Sequence, residues 1–216
     1  MLFFVLTKWL NYMVKDAQKD STEAKILHAA KKVFVEKGMS GARMQDIADQ
    51  AGINKALLHY YFRTKEKLFD VIFKEAASLF FPKITGIVEA EISLFEKIEG
   101  FCTAYIDLLL ENPYLPLFVL SEANKEPQRF RQKFWKNREL VFGQFMENIL
   151  TEIKNKRIKP VDPRQLFMNM ISMCVFPFVG KPVWMMTTGM SETEFILFVK
   201  ERKKIIPQFI IASIKK

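Results

Sequence analysis

A chain of 216 residues has room for one large domain or two small ones, with enough length in either case to bury a core. A formal charge of +9 and a pI of about 9.4 favour an anionic partner, nucleic acid or a lipid surface, without choosing between them. Half of the residues are hydrophobic, phenylalanine (21) and methionine (11) are abundant, glycine is scarce (8) and no long period-two alternation appears, so the class expected is all-α around a large, adaptable apolar interior.

Residues 1 to 14, MLFFVLTKWLNYMV, are apolar but lack the basic start and small-residue cleavage site of a signal peptide and the length of a membrane span. Either Met13 is the true start, since the polar stretch VKDAQKDS follows it, or residues 1–19 form an added amphipathic arm with Phe3, Phe4, Leu6, Trp9 and Leu10 as its apolar face. Asp20 or Ser21 is expected to cap the next helix, with Glu23 completing a capping box if Asp20 is the cap. Ile26, Leu27, Ala30, Val33 and Phe34 then repeat at three and four residues until Gly38 ends the helix.

The stretch MQDIADQAGINKALLHYYFRTK, Met44 to Lys65, has the outline of a helix-turn-helix, with helices from about Arg43 to Ala51 and from Lys55 to Phe62. Ala48 stands four residues before Gly52, where a larger side chain would push the two helices apart. Gly52 falls where the chain must turn sharply, with φ > 0 expected. Ile47, Ala51, Ile53 and Leu58 supply the apolar wedge. Asn54 can cap the second helix and aim backbone N–H groups toward phosphate, leaving Lys55, Ala56 and Leu57 as an exposed first turn. In a major groove Lys55 can donate to guanine O6 and N7, and Leu57 offers an apolar contact to a thymine methyl. Phe62 is expected in the core, whereas the adjacent Tyr60 and Tyr61 cannot both face inward.

Thr64 is expected to cap a helix bearing Leu68, Phe69, Ile72 and Phe73 that runs toward Phe80, with Pro82 as its end or a kink. The change of character beyond it divides the chain into 1–19, 20–80 and 81–216. Further helices are expected over Ile92 to Glu111, closed by Asn112-Pro113; over Tyr114 to Asn124; and from Pro127 to Lys156, burying Phe130, Phe134, Val141, Phe145, Ile149 and Ile153. Asp162-Pro163 starts another that reaches about Phe178, where Gly180 and Pro182 stop it. Ser191 and Glu194 box the start of the last, which Pro207 should kink.

Cys102 and Cys174 lie far apart inside apolar helical patterns, as reduced core thiols would, with a redox sensor as the alternative. His28 and His59 are the only histidines and no CxxC or HxxxH spacing occurs, so no metal site and no cofactor is expected. No carboxylate pair or nucleophile with its base can be assembled, so an enzyme is not expected.

KILHAAKKVFVEKG followed by MQDIADQAGINKALLHYYFRTKEKLF resembles the DNA-binding domain of the TetR family of transcriptional regulators. The likeness covers residues 22 to about 75: EKG at 36–38, DIA at 46–48, AG at 51–52, HYYF at 59–62 in place of the family's tyrosine-x-histidine-phenylalanine, and Lys65-Glu66. The resemblance implies a cytoplasmic homodimer that binds a palindromic operator in double-stranded DNA and is released by a small molecule. It further implies that His59, Tyr60, Tyr61 and Lys65 lie along the DNA backbone as phosphate donors or packing groups. Two departures matter. Ala42 and Arg43 replace the threonines common before the second helix, which weakens that cap and offers a longer arginine to phosphate. Leu57 stands where many members have threonine, so no relative's operator can be carried over.

The last two-thirds match the family only in layout, as a helical ligand-binding and dimerising domain. Phe101, Tyr105, Phe118, Phe142, Phe145, Met170, Met173 and Phe176 sit on helices expected to surround one interior. They are either core or the wall of a site for a small apolar ligand. Pro163 to Phe178 and Ser191 to Ile214 are the expected dimer helices, by their wide apolar stripes and their likeness to the family's paired C-terminal helices. A helical lipid-binding or apolar small-molecule binding protein without DNA function is the alternative. It would account for the phenylalanine, methionine and charge but not for the turn at Ala51-Gly52.

Overall fold

The computed structural model describes residues 2–132 and 139–216, with side chains described from Ser21 onward except at 39, 122, 129 and 139. The apolar arm face expected at Phe3 to Leu10, and Phe134, therefore lie outside the described side chains. The described residues form eleven α-helices and no strand, with one isolated antiparallel bridge between Ile158 and Lys215. Chain contacts divide the molecule into two compact units, Met1–Phe73 and Lys74–Lys216.

In the first unit, α1 spans Leu2–Gly41 and is broken at Gly38, whose φ of 66° and ψ of 171° leave the helical region. The backbone is helical well before the cap expected at Asp20 or Ser21. No glycine or proline precedes Gly38, and a residue able to cap does not start a helix where nothing interrupts the one already running. Then follow α2 (Met44–Ala51), α3 (Lys55–Tyr61) and the opening of α4 (Lys65–Glu89). The interior of this unit is apolar: Ile26, Ala30 and Phe34 of α1, Ile47 and Ala48 of α2, Leu58 of α3, and Leu68, Phe69 and Ile72 of α4 are all buried. The rings of Phe34 and Phe69 meet at 5.4 Å.

Thr64 Oγ1 accepts the Lys67 N–H at 3.2 Å, as a cap should. The helix does not stop near Phe80, and Pro82 lies inside it. The ring removes one N–H and leaves the Ser78 carbonyl without its usual donor. The helix nevertheless continues, because Ile84 and Val88 extend the buried stripe of Ala76, Ala77 and Phe80.

The second unit continues with α5 (Leu94–Glu111), α6 (Leu115–Lys125), α7 (Pro127–Phe130), α8 (Glu139–Lys154), α9 (Pro163–Val179), α10 (Lys181–Thr188) and α11 (Glu192–Ile214). α5 starts at Leu94 rather than Ile92 because Ser93 caps it: Ser93 Oγ accepts the Glu96 N–H at 3.2 Å and Glu96 Oε2 accepts the Ser93 N–H at 2.9 Å. α7 and α8 occupy the two ends of the helix expected from Pro127 to Lys156, and 133–138 lie outside the described residues. Asp162 Oδ1 takes the Arg164 N–H at 2.9 Å, and Ser191 with Glu194 makes the expected box. α9 ends at Val179 with Gly180 as its C-cap, as expected, and the chain then turns by 70° into α10, which the sequence did not announce and where Pro182 occupies a first-turn position that needs no N–H. α11 runs on through Pro207. No single described helix is long and apolar enough to cross a membrane, although the bent pair of α9 and α10 passes together by length and composition.

A charged group fixes the end of α4. Lys97, only 7% exposed, donates its Nζ to the Val88 carbonyl at 2.7 Å, and Asn148 Nδ2 reaches the same oxygen at 3.4 Å. A cation at a helix C-terminus answers both the open carbonyl and the negative end of the dipole.

Candidate functional site

The turn between α2 and α3 is built from one left-handed position, Gly52, and one extended capping position, Asn54. Gly52 has φ 66° and ψ 34°, its N–H reaches Asp49 O at 3.1 Å, and Ile53 N–H reaches Ala48 O at 3.0 Å. Nothing lies within 4 Å of a Cβ built on Gly52, so the backbone conformation alone calls for glycine there. Gly52→Ala is therefore expected to destabilise the first unit by about 1–2 kcal/mol. A urea melt reads this directly, and an unchanged midpoint would contradict it. Ala48 is fully buried, as its spacing to the turn requires.

Asn54 Oδ1 accepts the Leu57 N–H at 2.7 Å, so α3 starts on a fixed side-chain cap and that N–H is not on offer to a ligand. Lys55, Ala56, Leu57, His59 and Tyr60 are exposed, Tyr60 at 75%. Tyr61 is half-buried, its ring edge-on to that of Tyr60 at 5.4 Å, while Leu58 and Phe62 are buried beneath. The two tyrosines do part company, and Phe62 is core.

Three expected contact residues have local partners that the sequence did not reveal. His59 Nδ1 lies 3.1 Å from the Arg63 carbonyl. A carbonyl can only accept, so Nδ1 is the donor in this contact and Nε2 is the ring nitrogen left for an outside partner. Lys65, half-buried, donates its Nζ to the Ala42 carbonyl at 2.9 Å, tying the first turn of α4 to the residue before the N-cap of α2. The entrance to α2 is also firmer than Ala42 and Arg43 suggest. Asp46 Oδ2 accepts the Arg43 N–H at 3.0 Å, half of a capping box, and its other oxygen pairs with Lys37 at 2.9 Å. Lys37 first, and the Arg43 N–H after it, hold the Asp46 carboxyl below the usual carboxylate range. The guanidinium of Arg43 has no acceptor to complete the box and remains exposed.

In the second unit the expected aromatic residues divide. Phe101 of α5 stacks on Tyr105 at 5.7 Å and on Phe145 of α8 at 6.1 Å. Phe167 of α9 joins them, 5.6 Å from Phe101, 6.0 Å from Phe145 and 4.5 Å from Phe142. Phe80 of α4 closes on Tyr105 at 5.2 Å. Phe167 and Phe80 are additions to the sequence-based set. Phe118 and Met170 are buried and Met173 half-buried, but Phe176, 65% exposed, points outward. That corrects its placement in the interior: Leu166, Met170, Cys174 and Phe178 form the buried stripe of α9, and Phe176 stands about 200° around the helix from Cys174.

Burial raises the Tyr105 phenol above its ordinary range, with the Cys174 thiol adding to it. Cys102 and Cys174 are both free and buried, and the hydrogen bond between them, with burial, pushes the Cys174 thiol well up. A thiol held protonated is a poor nucleophile, in keeping with core packing.

A family model described as bacterial regulatory proteins, tetR family, matches residues 26–72. The chain is 25% identical over 108 residues to the HTH-type transcriptional repressor KstR2 of Mycobacterium tuberculosis, a match covering 50% of this chain and 54% of that protein. The chain thus spans about half the length of that curated relative. The solved structure of the ketosteroid transcriptional regulator KstR2 of Mycobacterium tuberculosis superposes with a TM-score of 0.69 at 16% identity, covering 90% of this chain and 95% of that one. FadR from Bacillus subtilis, solved in complex with stearoyl-CoA, superposes with a TM-score of 0.58 at 18% identity, covering 88% and 97%. At these identities the two structures speak for the fold. The domain that carries the turn at Gly52 and the capped helix α3 is thus the part of the chain that matches the tetR family of bacterial regulatory proteins.

Proposed function

We propose that this chain is a cytoplasmic, homodimeric transcriptional repressor that binds a palindromic operator and is released from it by a small apolar ligand. The observation that carries the reading is the exposed turn Lys55-Ala56-Leu57, with Tyr60 beside it, held on a helix capped by Asn54 and seated on buried Leu58 and Phe62. A reader of duplex DNA needs a few specifying side chains on a rigid base and positioning contacts around them. Arg43, Asn54, Lys55, Ala56, Leu57, His59, Tyr60, Tyr61 and Lys65 are the proposed contact set, with Lys55 and Leu57 specifying. The net charge of +9 suits the phosphate backbone.

Residues 20–80 act as the DNA-binding domain and 81–216 as the ligand-binding and dimerisation domain. Dimerisation through α9 and α11 is supported by the large apolar side chains they leave outside: Met168 and Phe176 on α9, and Leu197, Ile205 and Phe209 on α11. The ligand is proposed to lie against Phe101, Tyr105, Phe142, Phe145 and Phe167. It acts by binding better to a conformation whose two recognition helices are wrongly spaced for the operator, so operator affinity falls as that conformation fills. The relatives named above are regulators, and no catalytic role is proposed.

A gel-shift titration against the promoter beside the chain's own gene tests this. The expected result is a retarded band that weakens steeply as salt rises. No shift at low salt would sink the reading in favour of a helical apolar-ligand binder without DNA function.

A further inference from the structure

Arg202 of α11 is half-buried, and its Nε is shut off from solvent with no hydrogen-bond partner among the described residues. A buried N–H without an acceptor loses its water and gains nothing in return. The rest of the side chain is well held. Nη2 donates to the Met173 carbonyl of α9 at 3.0 Å, and the guanidinium lies 5.9 Å from the centre of the Phe198 ring, which stacks on Trp184 of α10 at 5.8 Å. Among the described residues no carboxylate forms an ion pair with it. Burial lowers the guanidinium's pKa, and Asp107 of α5 is engaged by Lys203.

Three helices thus fix a guanidinium by a carbonyl and a ring and leave one buried donor without an acceptor among the described residues. Oxyanions answer an arginine edge best. Helix α9 links this point to the aromatic cluster, since it carries both Met173, whose carbonyl Arg202 holds, and Phe167, six residues or about 9 Å back along the helix. Tyr105 stacks on Phe101 and so borders the proposed apolar wall.

We propose that Arg202 Nε receives an anionic oxygen of the effector, which is therefore an apolar chain ending in a carboxylate or phosphate, its chain against Phe101, Phe145 and Phe167. The proposal rests on the ligand-binding reading above and adds the chemical class of the ligand. It assigns Arg202 a recognition role and leaves the DNA-contacting turn untouched.

The test is calorimetric titration of the full chain with hexadecanoate, hexadecyl phosphate and hexadecanol, in the wild type and in Arg202→Met. The wild type is expected to bind at least one acid-bearing probe about 10-fold or more tighter than the alcohol. A preference for hexadecanoate identifies a carboxylate head, and one for hexadecyl phosphate identifies a phosphate head. Arg202→Met should abolish the preference while leaving hexadecanol affinity and the gel shift of the unliganded protein unchanged. If Arg202→Met does not fold, Arg202→Lys retains the charge without a donor at the Nε position and should lose most of the preference. Equal binding of acids and alcohol, binding of none of the three, or a preference that survives in the folded variant would overturn the proposal. Calorimetry needs no DNA, so a missing gel shift would count against the repressor reading alone.

Discussion

Lys55→Ala is expected to weaken operator binding by about 1–3 kcal/mol, roughly 5- to 150-fold, while leaving the melting transition where it is. Lys55 is exposed, and the start of α3 is held by Asn54 rather than by Lys55. Its loss therefore removes a contact with DNA and none of the support for the helix. Fluorescence anisotropy at several salt concentrations divides the two ways Lys55 can act. If it pairs with a phosphate, the salt slope falls by about one unit and all sequences weaken alike; if it reads a guanine, the loss is confined to sequences carrying that base pair. Unchanged affinity at every salt concentration would remove Lys55 from the interface and favour the alternative in which the protein binds only an apolar ligand.

Phe101→Ala is expected to cost the second unit about 3–5 kcal/mol. Phe101 is only 5% exposed and its ring meets those of Tyr105, Phe145 and Phe167 on α5, α8 and α9. Removing it takes away the transfer energy of the ring and leaves a void that three helices cannot all close at once. Chemical denaturation gives the magnitude. A loss under about 1 kcal/mol would mean that the cluster already yields at this point, and the packing described here would be wrong.

The DNA-binding part was legible because its signals are local. Gly52 needs positive φ, Asn54 accepts an N–H three residues on, and Phe62 falls on the buried face; each depends on neighbours within a turn of helix. Caps at Asp162 and Ser191 were legible for the same reason. The ligand-facing set was harder. Met170, Met173 and Phe176 follow a step of three, which falls back by about 60° each time, so by Phe176 the series has left the buried face. The stripe that packs advances in fours through Leu166, Met170, Cys174 and Phe178, and Phe167 sits beside it.

Breakers misled in both directions. Asp20 and Ser21 did not open a helix; Pro82, expected as an end or a kink, lies inside α4; and Gly180 ended α9 but was followed by a further helix, α10. Whether a proline ends a helix depends on what the following turn can bury, and Ile84 and Val88 are buried. The same holds for polar groups: the bonds from Lys65 to Ala42, from Lys97 to Val88 and from Arg202 to Met173 join residues 23, 9 and 29 positions apart, and no periodicity records them.

By itself, then, the sequence determined the helical class, the turn at Gly52 and the exposed edge of α3, because helix propensity, capping and glycine's left-handed conformation act within a few residues. Only the tertiary structure decided which rings meet, where α4 ends, and that Arg202 keeps a buried donor without an acceptor, because these depend on side chains brought together from distant helices.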